Sequence, residues 1–572
     1  MSLIRIDMTD QRVTSTELPE RYRRLGGRGL TAQLLADEVN PRCYALGRDN
    51  KLIFAPGLLT GTSAPCSGRT SLGAKSPLTG TIKESNVGGI AGQYLAGQGI
   101  RALVIEGAPR AARQWLLILG DGQPRLEIRD ELAGRGNYAT VESLRAEFGA
   151  DCAVLSVGPT GERRGALATV AVCDAEGRPT RHAGRGGMGA VMASKGLKAI
   201  VVRRPARRGP LPVDSARFSR TVKDFAKGLV AGKKALTSYG TAVLVNMVNE
   251  AGGLPTRNFS TGHNDQSDRF SGEKLLQLAR ERGGRTGHNC HPGCVIRCSN
   301  VFHGADGSYL TAGLEYETIA LFGPNCGVHD LDQIARFDRL CDDLGIDTME
   351  MGVALGVAME GGVLEFGDAD AMAAAIRATA SDEPLGKILR QGATVTGRIF
   401  GVERVPAVKG QSLSGYDPRA MKGTGVTYAT STMGADHTAG NCLPGRGGLM
   451  GHEATGQTQL SRATQEMSMA CDLLGVCVFV GPVAETMPAL AELLSAFWGE
   501  EVTGAQLLEQ GKQVLRVEAE FNRQAGISSR QNDLPAFFRS EPLPNNGQTF
   551  DVPVEELNAL DFAVVSGADT TG

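Results

Sequence analysis

Three cysteines within nine positions, Cys290-His-Pro-Gly-Cys294-Val-Ile-Arg-Cys298, constrain this chain more than any other feature. Three residues separate successive thiols, so all three can face one inorganic centre, while a fourth ligand must arrive from elsewhere in the fold. An iron-sulfur cluster is the first reading. A structural zinc site is the alternative, although zinc usually takes C-x2-C pairs with a second pair downstream. The other nine cysteines, Cys43, Cys66, Cys152, Cys173, Cys326, Cys341, Cys442, Cys471 and Cys477, are scattered and read mostly as small core residues.

At about 150 residues per domain, 572 residues predict three or four domains. Glycine supplies 76 of them, close to twice the usual ~7%, yet with only 25 prolines and no G-X-Y period the chain is neither collagen nor low-complexity disorder. Sixty basic against 62 acidic residues leave a net charge of -2, which gives no reason to expect nucleic acid or an anionic membrane as partner. Aromatics at 5% also argue against a base-stacking surface. No apolar run approaches the ~20 residues of a membrane span, and the first residues show no signal core. A cytoplasmic protein with reduced thiols is expected.

The first 203 residues hold short apolar runs between glycine-rich turns: Lys51-Leu-Ile-Phe54, Ala102-Leu-Val-Ile105, Trp115-Leu-Leu-Ile-Leu119, Ala153-Val-Leu-Ser156 and Ala199-Ile-Val-Val-Arg203. The basic, proline-containing segment 203–212 reads as a linker. Helical periodicity follows, with Ile334, Phe337, Leu340, Cys341 and Leu344 on one face. A second boundary is expected near Val405-Pro-Ala-Val-Lys-Gly410. The predicted domains are therefore 1–203, rich in strands, and the mainly helical 213–405 and 411–572.

An internal repeat ends two of the helical stretches. Cys341-Asp-Asp-Leu-Gly-Ile-Asp347 recurs 130 residues later as Cys471-Asp-Leu-Leu-Gly-Val-Cys477. Gly345 and Gly475 can adopt the left-handed conformation that terminates a helix, leaving Asp342 and Asp472 to point out of the turn. A carboxylate accepts two parallel N–H donors, the edge that a pterin or guanine displays. Two solvated helix-end aspartates are the alternative.

Arginine among glycines occurs in Leu25-Gly-Gly-Arg-Gly-Leu30 and in the segment 181–189, which contains Arg181, His182 and Arg185; both suit phosphate, or simply a turn with a surface arginine. The segments around Arg69 and around Asn86 and Gly88 add candidates, and none fits a P-loop. Acid-base candidates are Glu315 and Glu317, placed on one side by an extended segment, and His437 of Met433-Gly-Ala-Asp-His437.

Together these motifs resemble the aldehyde ferredoxin oxidoreductase family, the tungsten or occasionally molybdenum bis-pyranopterin enzymes. The likeness runs over nearly the whole chain and includes the closing Phe521-Asn-Arg-Gln-Ala-Gly526 and Asp533-Leu-Pro535. It implies an α+β fold, with an N-terminal domain of two β-sheets forming a cofactor base beneath two mainly α-helical domains. Cys290, Cys294, Cys298 and Cys477 would hold a 4Fe-4S cluster. Asp342, Gly345 and Asp347 would receive one pterin, and Asp472, Gly475 and Val476 the other. Arg69, Asn86, Gly88, Arg181, His182 and Arg185 would surround pterin phosphates bridged by Mg, while Glu315, Glu317 and His437 would stand by the metal. Members commonly show C-x2-C-x3-C, and here one extra residue in the first interval would loop out. The E-x-x-H that some members use between subunits is missing, so a homodimer would rely on other contacts.

The implied activity is oxidation of an aldehyde to a carboxylic acid, with electrons passed to ferredoxin or an iron-sulfur subunit. A catalytic subunit of a larger complex acting on another carbonyl or aromatic acid, a non-catalytic iron-sulfur electron-transfer protein and a zinc-stabilised binding protein are the competing expectations.

Overall fold

The computed structural model describes residues 1–120, 122–206 and 209–563, so Arg207 and Arg208 of the expected linker and the last nine residues of the expected third domain lie outside the described residues. Twelve strands form two six-stranded sheets in the N-terminal part. The first contains β1 (Ser2–Asp7), β2 (Arg12–Glu17), β3 (Leu52–Pro56), β4 (Thr70–Lys75), β5 (Ile82–Val87) and β6 (Ile100–Glu106). The second contains β7 (Trp115–Leu119), β8 (Arg125–Ile128), β9 (Ala153–Ser156), β10 (Val170–Val172), β11 (Arg181–Ala183) and β12 (Leu197–Val202). The apolar runs of the sequence became β3, β6, β7, β9 and β12. The rest are short or polar and lacked that signal.

The two sheets duplicate one topology. Their orders are β2-β1-β6-β3-β4-β5 and β8-β7-β12-β9-β10-β11. Corresponding pairs share their sense, with β1·β6 and β7·β12 parallel and the others antiparallel. Helix Gly27–Glu38 follows β2 as helix Asn137–Phe148 follows β8. Apolar side chains of both sheets, among them Ile6, Phe54, Leu117, Val154 and Val201, share one core.

Helices dominate beyond residue 213. The helix predicted around Ile334 spans Leu331–Leu344 and buries Ile334, Phe337 and Cys341. A three-stranded antiparallel sheet, Arg285–His288, Ser299–His303 and Tyr309–Ala312, carries the three clustered cysteines in the loop between its first two strands. The segment around 407–412 forms a small hairpin. A large core unites the parts: Leu30, Leu34 and Leu35 of helix Gly27–Glu38 pack with Leu473 of helix Gln457–Leu474 and with Val514 and Phe521 of helix Gly504–Gln524. No helix among the described residues is long and apolar enough to cross a membrane.

Candidate metal and cofactor site

Each half of the duplicated base wraps one copy of the repeat. Gly345 and Gly475 both end their helices at φ +72°. The returning amides of Ile346 and Val476 donate to Cys341 O at 2.9 Å and Cys471 O at 3.0 Å. Thr169 N donates to Gly345 O at 3.0 Å, and Arg69 N donates to Gly475 O at 3.1 Å. A Cβ on Gly158 would lie 2.2 Å from Leu344 O, and one on Gly57 would lie 2.1 Å from Gly475 N, so only glycine allows either loop to approach. The first turns of the two helices named above make matching contacts. Arg28 NH1 reaches Asp472 Oδ2 at 3.3 Å, and Tyr138 OH reaches Asp342 Oδ2 at 3.4 Å.

Both repeat aspartates thus turn inward instead of pointing out to solvent, because the loops cover the helix ends. Asp342 is 6% exposed and sits 2.9 Å from His182 Nε2. His182 Nδ1 in turn lies 2.7 Å from Thr169 Oγ1. Burial and the neighbouring Glu84 push the Asp472 carboxyl well above the ordinary range, against the pull of Arg28. Arg28 is also clamped by both oxygens of Glu518 at 2.8 Å. Asp347 caps helix Thr348–Glu360 through Met349 N at 3.0 Å and lies 3.4 Å from Arg185 Nε. Arg185 further donates to Ala435 O and Ser412 O, both at 2.8 Å, so its guanidinium is engaged by protein.

Between the two helix ends several donors have no protein partner. Arg69 Nε, Arg181 Nε and NH2, Thr70 Oγ1 and Ser71 Oγ are buried and unsatisfied. Buried guanidinium N–H groups without an acceptor are expensive, which makes these side chains fit for an anionic group such as phosphate. Asn86 stands opposite Ser71 on β4 and β5, as His182 stands opposite Ala171 on β10 and β11. Asn86 Nδ2 donates to Glu84 Oε1 at 3.3 Å. A Cβ on Gly88 would come within 3.5 Å of Cys290 Sγ, and Gly89 N donates to Cys290 O at 2.9 Å.

Cys290, Cys294, Cys298 and Cys477 are buried in one core, with Cys477 arriving from the second repeat. Cys290, His291 and Cys294 hold their ligand atoms within 4.8 Å of one another. Burial first, then Glu315 and the neighbouring sulfurs, push the Cys298 thiol far up. Four buried thiols backed by a guanidinium, with Arg69 NH2 at 3.2 Å from Cys477 Sγ, suit an anionic iron-sulfur cluster. Within the first interval Gly293 is exposed and adopts φ +85°. Cys66 proves to be more than a core residue: its N–H donates to Gly293 O at 3.1 Å and its O accepts from Cys477 N at 2.9 Å.

Glu315 and Glu317 do not share a side. The extended segment ends at Glu315, and helix Tyr316–Phe322 starts immediately after it, so the period changes from 2 to 3.6 between the two carboxylates. Glu315 accepts from Thr241 Oγ1 at 2.6 Å. Burial raises its pKa, opposed by Thr241 and by the guanidinium groups of Arg181 and Arg69. Glu317 accepts from Gly415 N at 2.8 Å and holds His437 Nε2 at 3.2 Å. His437 Nδ1 is buried without a partner, and the Tyr416 ring lies 5.8 Å from the imidazole. Asp436, next in the chain, forms a buried ion pair with Lys83 of β5 and caps the turn at Thr438 N at 3.0 Å. Lys83 and Glu518 were not singled out from the sequence, and no local pattern marks them; Arg28, read there as a phosphate candidate among glycines, is instead held by Glu518 and Asp472.

Residues 3–204 match the family profile described as aldehyde ferredoxin oxidoreductase, N-terminal domain, and residues 220–560 match that for domains 2 and 3. The chain belongs to the aldehyde ferredoxin oxidoreductase family. It is 33% identical to the tungsten-containing aldehyde ferredoxin oxidoreductase of Pyrococcus abyssi, covering 95% of this chain and 92% of the relative. An aliphatic sulfonate oxidoreductase, WOR-like subunit, of Pyrococcus furiosus is 26% identical over 78% of this chain and 76% of its own. Among solved structures, the active-site complex BamBC of benzoyl coenzyme A reductase, with 1,5-dienoyl-CoA, has the same fold. Its TM-score is 0.80 at 18% identity over 98% of this chain and 97% of the other. This chain is thus an oxidoreductase of the tungsten-pterin class at family level.

Proposed function

We propose that the protein oxidises an aldehyde with water to the carboxylic acid, releasing two electrons and two protons, with ferredoxin or an iron-sulfur subunit as electron acceptor. Family membership supports the class of chemistry. The observation that carries the reaction is the buried pair in which Glu317 holds His437 Nε2 at 3.2 Å while Nδ1 has no protein partner. With Glu317 ionised, Nε2 carries the proton and Nδ1 keeps its lone pair. His437 takes a proton from water as its oxygen adds to the carbonyl carbon, and Glu317 stabilises the imidazolium that results. The Tyr416 ring, 5.8 Å from the imidazole, packs beside the pair.

Cys290, Cys294, Cys298 and Cys477 would hold the 4Fe-4S cluster. Asp342 to Asp347 and Asp472 to Cys477 would each meet one pterin, and Arg69, Asn86, Gly88, Arg181 and His182 would receive phosphates bridged by Mg. The tungsten or molybdenum centre supplies a two-electron acceptor when bound. Glu315, flanked by Cys298, Arg181 and Arg69, balances charge on the cluster side instead of meeting substrate. The sulfonate and benzoyl-CoA relatives favour one other reading, a catalytic subunit of a larger complex acting on a different substrate.

Protein made anaerobically in a cofactor-competent host is analysed for W, Mo, Fe and Zn and assayed for aldehyde-dependent viologen reduction. About four iron atoms with one W or Mo, and a fall of roughly 10²-fold or more in kcat for Glu317→Gln, are expected. Zinc in place of iron, or neither W nor Mo, sinks the reading.

A further inference from the structure

The cluster cysteines lie just under one face of the molecule. Gly293 and Arg297, each next to a cluster cysteine in the chain, are exposed. Helix Ser215–Gly232 and the short helix Lys234–Tyr239 cover the neighbouring surface. Phe218, Val222, Phe225 and Leu229 of the first helix pack into the same core as the four thiols. Thr237 Oγ1 of the second donates to Ile296 O at 2.7 Å, between Cys294 and Cys298.

The outer face of this pair is strongly basic. From Ser215 to Tyr239 there are six basic residues and one acidic residue, Asp224, a net of +5 on a chain whose total is -2. Arg220, Lys223, Lys227 and Lys234 recur at steps of three, four and seven, with the 54% exposed Val230 filling the missing position between the last two. Arg220, Lys223 and Lys227 form one stripe opposite the apolar face of the first helix, while Lys234 opens the second helix beyond the non-helical Lys233. Arg217 is clamped by Glu492 and Glu501, but among the described residues none of these four is in an ion pair. Like charges three and four residues apart weaken a helix, and the single Asp224, four residues after Arg220 and three before Lys227, offsets only part of that repulsion.

We propose that this basic stripe, with Lys227 at its middle and the exposed Val230 beside it, docks an acidic iron-sulfur electron carrier and so places it against the exposed rim of the cluster loop. The inference rests on the reading that electrons leave through the cysteine-held cluster. A cationic patch speeds encounter with an acidic partner and orients it, and this effect fades with salt.

The test uses the holoenzyme, a purified ferredoxin of strongly acidic sequence, and methyl viologen as a small cationic acceptor. Lys223→Glu combined with Lys227→Glu should raise KM for ferredoxin roughly tenfold at an ionic strength of about 0.05 M and much less at about 0.3 M, while viologen reduction is unchanged. Calorimetric titration of the oxidised holoenzyme with the same ferredoxin should show matching weakening. A ferredoxin KM within twofold of wild type, or a titration unaffected by the substitutions, overturns the proposal. If no aldehyde is oxidised with either acceptor, the activity reading fails, while the titration still decides the docking face.

Discussion

Lys83 and Asp436 show how an ion pair between distant parts of the chain can hold a candidate catalytic group. Their side chains are 1% and 3% exposed, and Asp436 opens the turn that carries His437. Against burial, Lys83 and Arg185 hold the Asp436 carboxyl far below its ordinary range. Lys83→Met would leave that charge buried with its nearest cation removed, a loss of about 3–5 kcal/mol at neutral pH. The folded carboxyl is depressed, so the pair's contribution is present above the unfolded carboxylate range of about pH 4 and is lost as pH falls below it. Denaturant midpoints of both proteins should therefore differ fully at pH 7 and converge under acid; an unchanged gap refutes the assignment. The pair is illegible in the sequence because its partners are 353 residues apart. The cysteine trio, by contrast, is legible because three thiols share nine residues. Glu315 and Glu317 lie between these cases: the residues were visible, but the start of a helix between them was not.

At the scale of elements, the repeat was readable down to its terminal glycines, whereas the loops that wrap it were not. The polar strands β4, β5 and β11 carry Ser71, Asn86 and His182, and their mixed side chains offer no alternating apolar signal because both faces lie against protein or a polar pocket. The same close wrapping makes the helix ends intolerant of a side chain. Gly475→Ala forces alanine to φ +72° and puts its Cβ 2.4 Å from Thr60 Oγ1 and 2.8 Å from Gly57 Cα. Gly345→Ala meets Gly158 N at 2.8 Å. Backbone strain alone contributes about 1–2 kcal/mol in each. Both variants should melt earlier than wild type. Because Gly475 lies two residues before Cys477, its variant should also lose iron, whereas Gly345→Ala should retain the cluster. Equal iron content in the two would contradict this asymmetry.

On the scale of the molecule, the duplicated base and its helical cover form one interlocked body, a feature that composition and periodicity could not reveal. Helix Gly27–Glu38 belongs to the first sheet by sequence but buries Leu30, Leu34 and Leu35 against helices that begin more than 400 residues later. Arg28 joins the same three elements through Asp472 and Glu518. Cys477, the proposed fourth cluster ligand, also comes from the last third of the chain. The predicted segments 1–203, 213–405 and 411–572 are therefore proposed to mark changes in secondary structure and not independently folding units. A fragment of residues 1–204 would expose the inner face of that helix and leave Arg28 without Glu518, removing both apolar burial and the partner of a buried charge. It should show strand-type circular dichroism without a cooperative thermal transition. The whole holoprotein should unfold in one calorimetric step, because each segment's core is completed by another. A fragment that melts sharply near the temperature of the full chain would show that the base is self-sufficient and that the covering helices merely rest on it.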